Sequence, residues 1–303
     1  MGNKFRIGLA LGGGAARGLS HIGVIESLVE AGIAIDVIAG TSMGAIVGAM
    51  YAADPDVARL KERFAAYLHS EAFRQAKFDF MKERDVEEGE GIFYRFSQFA
   101  RRSIFYTLSM TRHSFLSETT GTRNVDFLVP DIAIEDTQIP FVATAVDLIS
   151  GKEHLFRSGS LRKAVAASCA IPGILPPVEH DGMSLVDGGW LDAVPVEPAI
   201  ELGADFVIAV DVSREISEFE EPRSGLEIVF RSDSITRYAL SDERARRADI
   251  VLAPSIRNIH WADFSQSQQA IDSGRQETLL HLDAIRRKLR RKRWRQRLMS
   301  TRR

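Results

Sequence analysis

The sequence predicts an α/β fold, with a mainly parallel central sheet, helices on both of its faces and a helical insertion between its two halves. Three observations carry that expectation. Short apolar runs alternate with helix-spaced segments near the N-terminus, the same alternation returns after residue 140, and the stretch between them has helical character without a strand pattern. Repeated strand, helix and strand make βαβ units, which build parallel sheets covered on both sides.

Taken in order, residues 5–11 form a first strand, followed by a glycine cluster and a helix over 19–31 that Gly32 stops. Residues 35–39 give a second strand, and the small residues of 45–53 a second helix. The later block offers a strand at 141–146, a helix at 161–168, a hairpin turning at Asp181-Gly182, a helix at 195–202 and a strand at 206–212. Residues 250–253 make a last short strand. Residues 54–129 are charged and rich in aromatics, among them Phe64, Tyr67, Phe73, Phe93 and Phe105. They read as a helical insertion over one edge of the sheet, either a lid with a lipid-contacting face or plain core helices.

Composition sets limits on function. At 303 residues, 45% apolar and 26% charged, the chain can bury a full core, which excludes disordered, collagen-like and coiled-coil classes. The single cysteine, Cys169, can neither close an intramolecular disulfide nor build a multi-cysteine zinc site, so a reducing compartment and no structural thiol framework are expected. No apolar run approaches the ~18 residues that cross a bilayer, and residues 1–6 lead into the first strand without a cleavage site. The expected address is cytoplasmic, with peripheral membrane contact as an option. Eleven of the 39 Lys and Arg fall within 286–303, so the rest of the chain holds 28 bases against 41 acids, a net of −13. The protein is an acidic globule with a cationic end.

The sharpest chemical signal is Gly40-Thr41-Ser42-Met43-Gly44, set between a predicted strand and a predicted helix. A serine on so sharp a turn has its hydroxyl lifted clear of the backbone, and flanking glycines avoid a Cβ clash. That hydroxyl needs a base and preorganised donors for the oxyanion it creates. The glycine run Gly12, Gly13 and Gly14, followed by Ala15-Ala16-Arg17-Gly18, offers backbone N–H groups at a helix start on the same sheet edge. A Walker loop would end in Gly-Lys-Ser/Thr and a dinucleotide fingerprint would need glycine at position 17, which is Arg17, so nucleotide cofactors are not expected. The candidate base is Asp187 in Val186-Asp187-Gly188-Gly189, with glycines leaving room beside the carboxylate. A Ser-acid-His triad is the competing arrangement, and only His260 and His281 follow Asp187.

Four blocks in order, Gly12 to Gly18, Gly40 to Gly44, Ala167-Ser168-Cys169-Ala170-Ile171-Pro172-Gly173-Ile174-Leu175-Pro176-Pro177, and Asp187-Gly188-Gly189, resemble the patatin-like phospholipases, in the bacterial branch similar to the neuropathy-target-esterase catalytic domain. The resemblance implies a three-layer α/β/α sandwich and a Ser42–Asp187 dyad. It also implies an oxyanion hole from Gly12, Gly13 and Gly14, and metal-free hydrolysis of lipid acyl esters of phospholipase A or lysophospholipase type. The chain departs from the family at two places: Asp192-Ala193 stands where paired asparagines are common, and Trp190 replaces a smaller aliphatic. Arg17 has two candidate roles, meeting a lipid phosphate or anchoring its loop through a carboxylate. Ser168 and Cys169 are expected to shape the loop beside Ser42, and Asp147 and Asp211 to cap loops at strand ends.

The expected organisation is therefore a hydrolase domain over 1–274, with the 54–129 insertion, and a basic helix or tail over 275–303. The tail carries Leu279, Leu282, Ile285, Leu289 and Trp294 on one stripe amid arginines and lysines. Such a segment suits an anionic membrane surface, and RNA, an acidic protein or solvent remain alternatives. Nucleic acid is not the expected partner of the chain as a whole, and nothing in the sequence sets its oligomeric state. The rival function is a non-catalytic lipid-binding or scaffolding module that keeps the fold.

Overall fold

A computed structural model describes residues 5–76, 114–213, 222, 225–256 and 258–300. The first half builds β1 (Ile7–Leu11), α1 (Ser20–Glu30), β2 (Val37–Gly40) and α2 (Met43–Ala53), then α3 (Val57–Leu68), α4 (Glu71–Gln75) and α5 (Glu118–Leu128). The second half builds β3 (Phe141–Asp147), β4 (Glu153–Phe156), α6 (Leu161–Ser168), β5 (Val178–His180) and β6 (Met183–Asp187). It continues with α7 (Val196–Glu201), β7 (Phe206–Val210), α8 (Gly225–Ala245), β8 (Ile250–Leu252) and α9 (Ser267–Ser300).

The strands form one eight-stranded sheet. β8, β7, β1, β2 and β3 run parallel, while β4 and β6 are antiparallel to β3 and β5 is antiparallel to β6. Alternation along β1 divides the core. Ile7, Leu9 and Leu11 join the large cluster with α1, α2, α6 and α9, whereas Ala10 faces a second cluster with Ala39, Ala209 and the α7 residues Val196 and Ala199. Small side chains on that second face let α7 lie close to the sheet. The expected mainly parallel sheet between helical layers is what forms.

The register around β3 positions the site. Ala143 pairs with Gly40 of β2 and with Phe156 of β4, and Ala145 pairs with Asp187 of β6 and with His154 of β4. Since β4 takes one edge of β3 at both residues, β2 and β6 share the other edge, arriving from opposite directions with their C-terminal ends facing. Only Thr144 separates their last partners on β3.

Two elements were not foreseen, β4 and the 21-residue α8. In the described part of the insertion Phe64 and Tyr67 pack as core, while Phe127 is exposed. Phe64 and Tyr67 are buried and meet edge to face, and Tyr67 meets Phe73, which in turn packs on Phe264. Residues 77–113 of the expected 54–129 insertion, and with them that part of the lid reading, lie outside the described residues. The boundary expected between 274 and 275 lies within α9, a helix of 34 residues and about 50 Å. Ile285 and Leu289 of α9 are buried in the main core. No helix among the described residues is long and apolar enough to cross a membrane.

Candidate active site

Ser42 stands at the β2–α2 junction with φ 53° and ψ −120°, a left-handed backbone that a side chain rarely adopts. The strain is held by what surrounds it. Ala45 and Ile46 N–H donate to the Ser42 carbonyl, starting α2, and the Ser42 N–H donates to the Ser168 hydroxyl across 2.9 Å. The turn also requires Gly44, since a Cβ there would lie 2.1 Å from the Leu11 carbonyl oxygen.

Asp187 ends β6, buried at 4% exposure. Its Oδ1 accepts from Gly189 N–H across 2.8 Å, and its own N–H donates to the Ala170 carbonyl. The Ser42 hydroxyl is a hydrogen-bonding neighbour of its carboxyl. Burial pushes the Asp187 pKa up to about 6, against the opposing pull of the Ser42 hydroxyl, the Gly189 N–H and the Arg237 charge. A carboxyl so shifted is a stronger proton acceptor than an ordinary aspartate and still ionises near neutrality.

Thr41 and Thr144 fill the gap between the facing strand ends. Their hydroxyls lie 2.8 Å apart, and Thr41 Oγ1 donates to the Asp192 carbonyl across 3.0 Å. Gly188 is squeezed against the same place, where a Cβ would meet Thr144 Oγ1 at 2.2 Å. Cys169 is also a neighbour of the Ser42 hydroxyl, but its thiol is pushed well above the ordinary range by burial and then by Asp187, which keeps it protonated and a poor nucleophile.

The glycine loop lies against Ser42, since a Cβ on Gly13 would come within 3.2 Å of the Ser42 Cβ. Two of its N–H groups are already engaged. Gly12 donates to the Val210 carbonyl and Gly13 to the Ala193 carbonyl. Of the three glycines expected as donors, Gly14 alone has an N–H without an acceptor among the described residues. His21 secures the loop from below, its Nε2 2.7 Å from the Gly12 carbonyl. Burial lowers the His21 pKa to about 4, so the ring is neutral and Nε2 carries the donated proton. Arg17 is buried and its Nε donates to the Ile259 carbonyl across 2.7 Å, an anchor for the loop.

Neither candidate histidine meets Ser42. His281 lies against Glu277 one turn back on α9, and His260 accepts from Ala262 N–H. Asp147 and Asp211 cap their loops, Asp147 through Ile149, Ser150 and Ser184, and Asp211 through Ser213. Trp190 is explained by Arg237, whose guanidinium stacks 4.6 Å from its ring centre. Ser168 and the Ala170 carbonyl link Ser42 to Asp187 through the backbone, contacts the sequence signalled only as a loop beside the turn. Among the described residues no cluster of His, Cys, Asp and Glu could hold a metal ion.

The sequence profile described as patatin-like phospholipase matches residues 9–200. The chain is 36% identical over 212 residues to lysophospholipase NTE1 of Cryptococcus neoformans var. neoformans serotype D, covering 68% of this chain and 11% of that protein. It is 38% identical over 210 residues to an NTE family protein of Mycobacterium tuberculosis, covering 69% of this chain and 49% of that one. The chain therefore spans half or less of these relatives' length. Among solved structures, VipD from Legionella pneumophila superposes with a TM-score of 0.49 at 14% identity, over 92% of this chain and 67% of that one.

Proposed function

The chain belongs to the patatin-like phospholipase family, and from that premise we propose that it is a serine acyl hydrolase acting on carboxylic esters of lipids, of phospholipase A or lysophospholipase type, through Ser42 and Asp187. The Ser42 oxygen attacks the ester carbonyl as its proton passes to Asp187. The tetrahedral intermediate collapses to an acyl-Ser42 ester, and Asp187 returns the proton to the leaving alcohol. Water, deprotonated by Asp187, then attacks the acyl carbon, releasing the fatty acid and restoring the Ser42 hydroxyl. The developing oxyanion is met by the Gly14 N–H and by the Met43 N–H, the one donor in the first turn of α2 that has no acceptor among the described residues, whereas Gly12 and Gly13 hold the loop in place.

One observation carries this reading: a buried carboxyl of raised pKa faces a serine hydroxyl held on a strained strand-to-helix turn. A non-catalytic lipid-binding module would have no need to hold that strain. A fluorophosphonate probe tests it. Wild type is expected to label at Ser42, Ser42→Ala not at all and Asp187→Asn far more slowly, with p-nitrophenyl ester turnover following the same order. Unlabelled wild type would favour the binding module.

The cationic end is proposed to meet anionic lipid. Arg287, Arg290, Arg291 and Trp294 are exposed, and their spacing sets them on the α9 face opposite the buried Ile285 and Leu289.

A further inference from the structure

The turn that follows Asp187 touches every part of the site. Its residue Asp192 receives the Thr41 hydroxyl on its carbonyl, next to Ser42, and Ala193 receives the Gly13 N–H of the glycine loop. The Asp192 N–H closes the turn on the Gly188 carbonyl. A displacement of this turn would therefore move the serine, the acid and the glycine loop together. What fixes it from outside is the buried Asp192 side chain, which reaches across to Glu153 of β4 and to Arg244 of α8, Nη1 to Oδ2 at 3.5 Å.

Asp192 Oδ1 and Glu153 Oε1 are both buried without a donor, although the two carboxyls are hydrogen-bonding neighbours. Two facing carboxylates supply only acceptors, so a bond between them requires one proton. The groups around them are few: Arg244 from α8, Glu201 at the end of α7 and Arg157 after β4. The Arg244 contact reaches only Oδ2, leaving the carboxyl-to-carboxyl side to the proton.

We infer that Asp192 is a positioning residue for the reaction, and that a single proton shared with Glu153 locks the 188–193 turn and through it the relative placement of Ser42, Asp187 and the glycine loop. Burial, then the Glu153 charge, push the Asp192 pKa up to about 7. The folded value lies above the unfolded one, so the lock is fully present at low pH and is lost as pH rises through about 7. An amide at this position would supply the donor at every pH.

The inference rests on the hydrolase reading, and one experiment separates the two. Hydrolysis of p-nitrophenyl butyrate is followed from about pH 5 to about pH 9 for wild type, S42A, D192A, D192N and E153Q. D192A is expected to lower kcat by about tenfold to a hundredfold with KM within about twofold. D192N is expected to restore kcat at mildly acid pH, and both D192N and E153Q to abolish the wild-type decline above about pH 7. A folded D192A with wild-type kcat overturns the inference, as does a wild-type decline that survives in both amide variants. Should D192A fail to fold, the amide variants decide alone. If S42A matches wild type, the hydrolase reading falls and the inference with it; if S42A is inactive while D192A is unimpaired, only the inference falls.

Discussion

The Ser42 backbone N–H donates to the Ser168 hydroxyl across 2.9 Å, joining the first turn of α2 to the last residue of α6. Ser168 is fully buried, so no water replaces it there. Ser168→Ala leaves a buried N–H without an acceptor at the strained Ser42, a loss of about 1–3 kcal/mol. The expected outcome is a lowered urea midpoint together with about tenfold slower ester turnover, because the strained backbone loses a restraint. An unchanged midpoint would show that the bond contributes nothing.

In the proposed mechanism Asp187 has to be ionised to accept the Ser42 proton, and its pKa stands at about 6. The kcat/KM of the free enzyme should accordingly rise with pH through about 6, an acid limb that reports this carboxyl. Its folded value exceeds the unfolded one near 4, so its contribution to stability is present below about pH 4 and is lost as pH climbs through about 6. Asp187→Asn, which carries no charge, should therefore be inactive yet melt higher than wild type at neutral pH, by up to about 3 kcal/mol, with the gap closing toward pH 4. A variant that melts lower at pH 7 contradicts the assigned direction.

Much of this arrangement was legible in the sequence because it is local. The strand, sharp turn and helix around Ser42 are written in contiguous residues, and the hairpin of β5 and β6 in Asp181-Gly182, both of positive φ. What escaped was long-range or featureless. β4 is four residues without clear alternation, and α8 exposes Ile228, Val229 and Ile235 with no apolar stripe to announce it. That Gly12 and Gly13 spend their N–H groups on Val210 and Ala193 depends on how distant segments meet. The pairing of Glu153 with Asp192 depends on the same distant meeting.

Gly44 tests the turn without touching the reacting groups. A Cβ there would sit 2.1 Å from the Leu11 carbonyl oxygen and 2.5 Å from its carbon, both backbone atoms with nowhere to go. Gly44→Ala has to push α2 away from β1, and the expected cost exceeds about 3 kcal/mol. Recovery of soluble protein and its thermal midpoint measure this. A variant as stable as wild type would mean that the elbow is far looser than the contacts imply.

The cationic end of α9 makes the last prediction, and its place in the fold shapes it. The segment leading into α9 holds the glycine loop, through Ile259 to Arg17 and Trp261 to Ala16. The far half of the helix lies against the opposite edge of the sheet, with Lys292 on Asp249, Gln296 on Asp205 and Arg293 over Phe5, residues that precede β8, β7 and β1. A surface bound there is therefore remote from Ser42. Removing 286–303 outright would strip the buried Leu289 from the core, so charge reversal is the cleaner test. Arg287→Glu, Arg290→Glu and Arg291→Glu combined should weaken binding to anionic vesicles by about a hundredfold, at about 1 kcal/mol per base, and more at low salt. Turnover of a soluble ester should stay unchanged, since those arginines reach neither the serine nor its acid. Vesicle binding that survives the triple variant would remove the membrane from the proposal and leave an acidic protein partner as the reading to test.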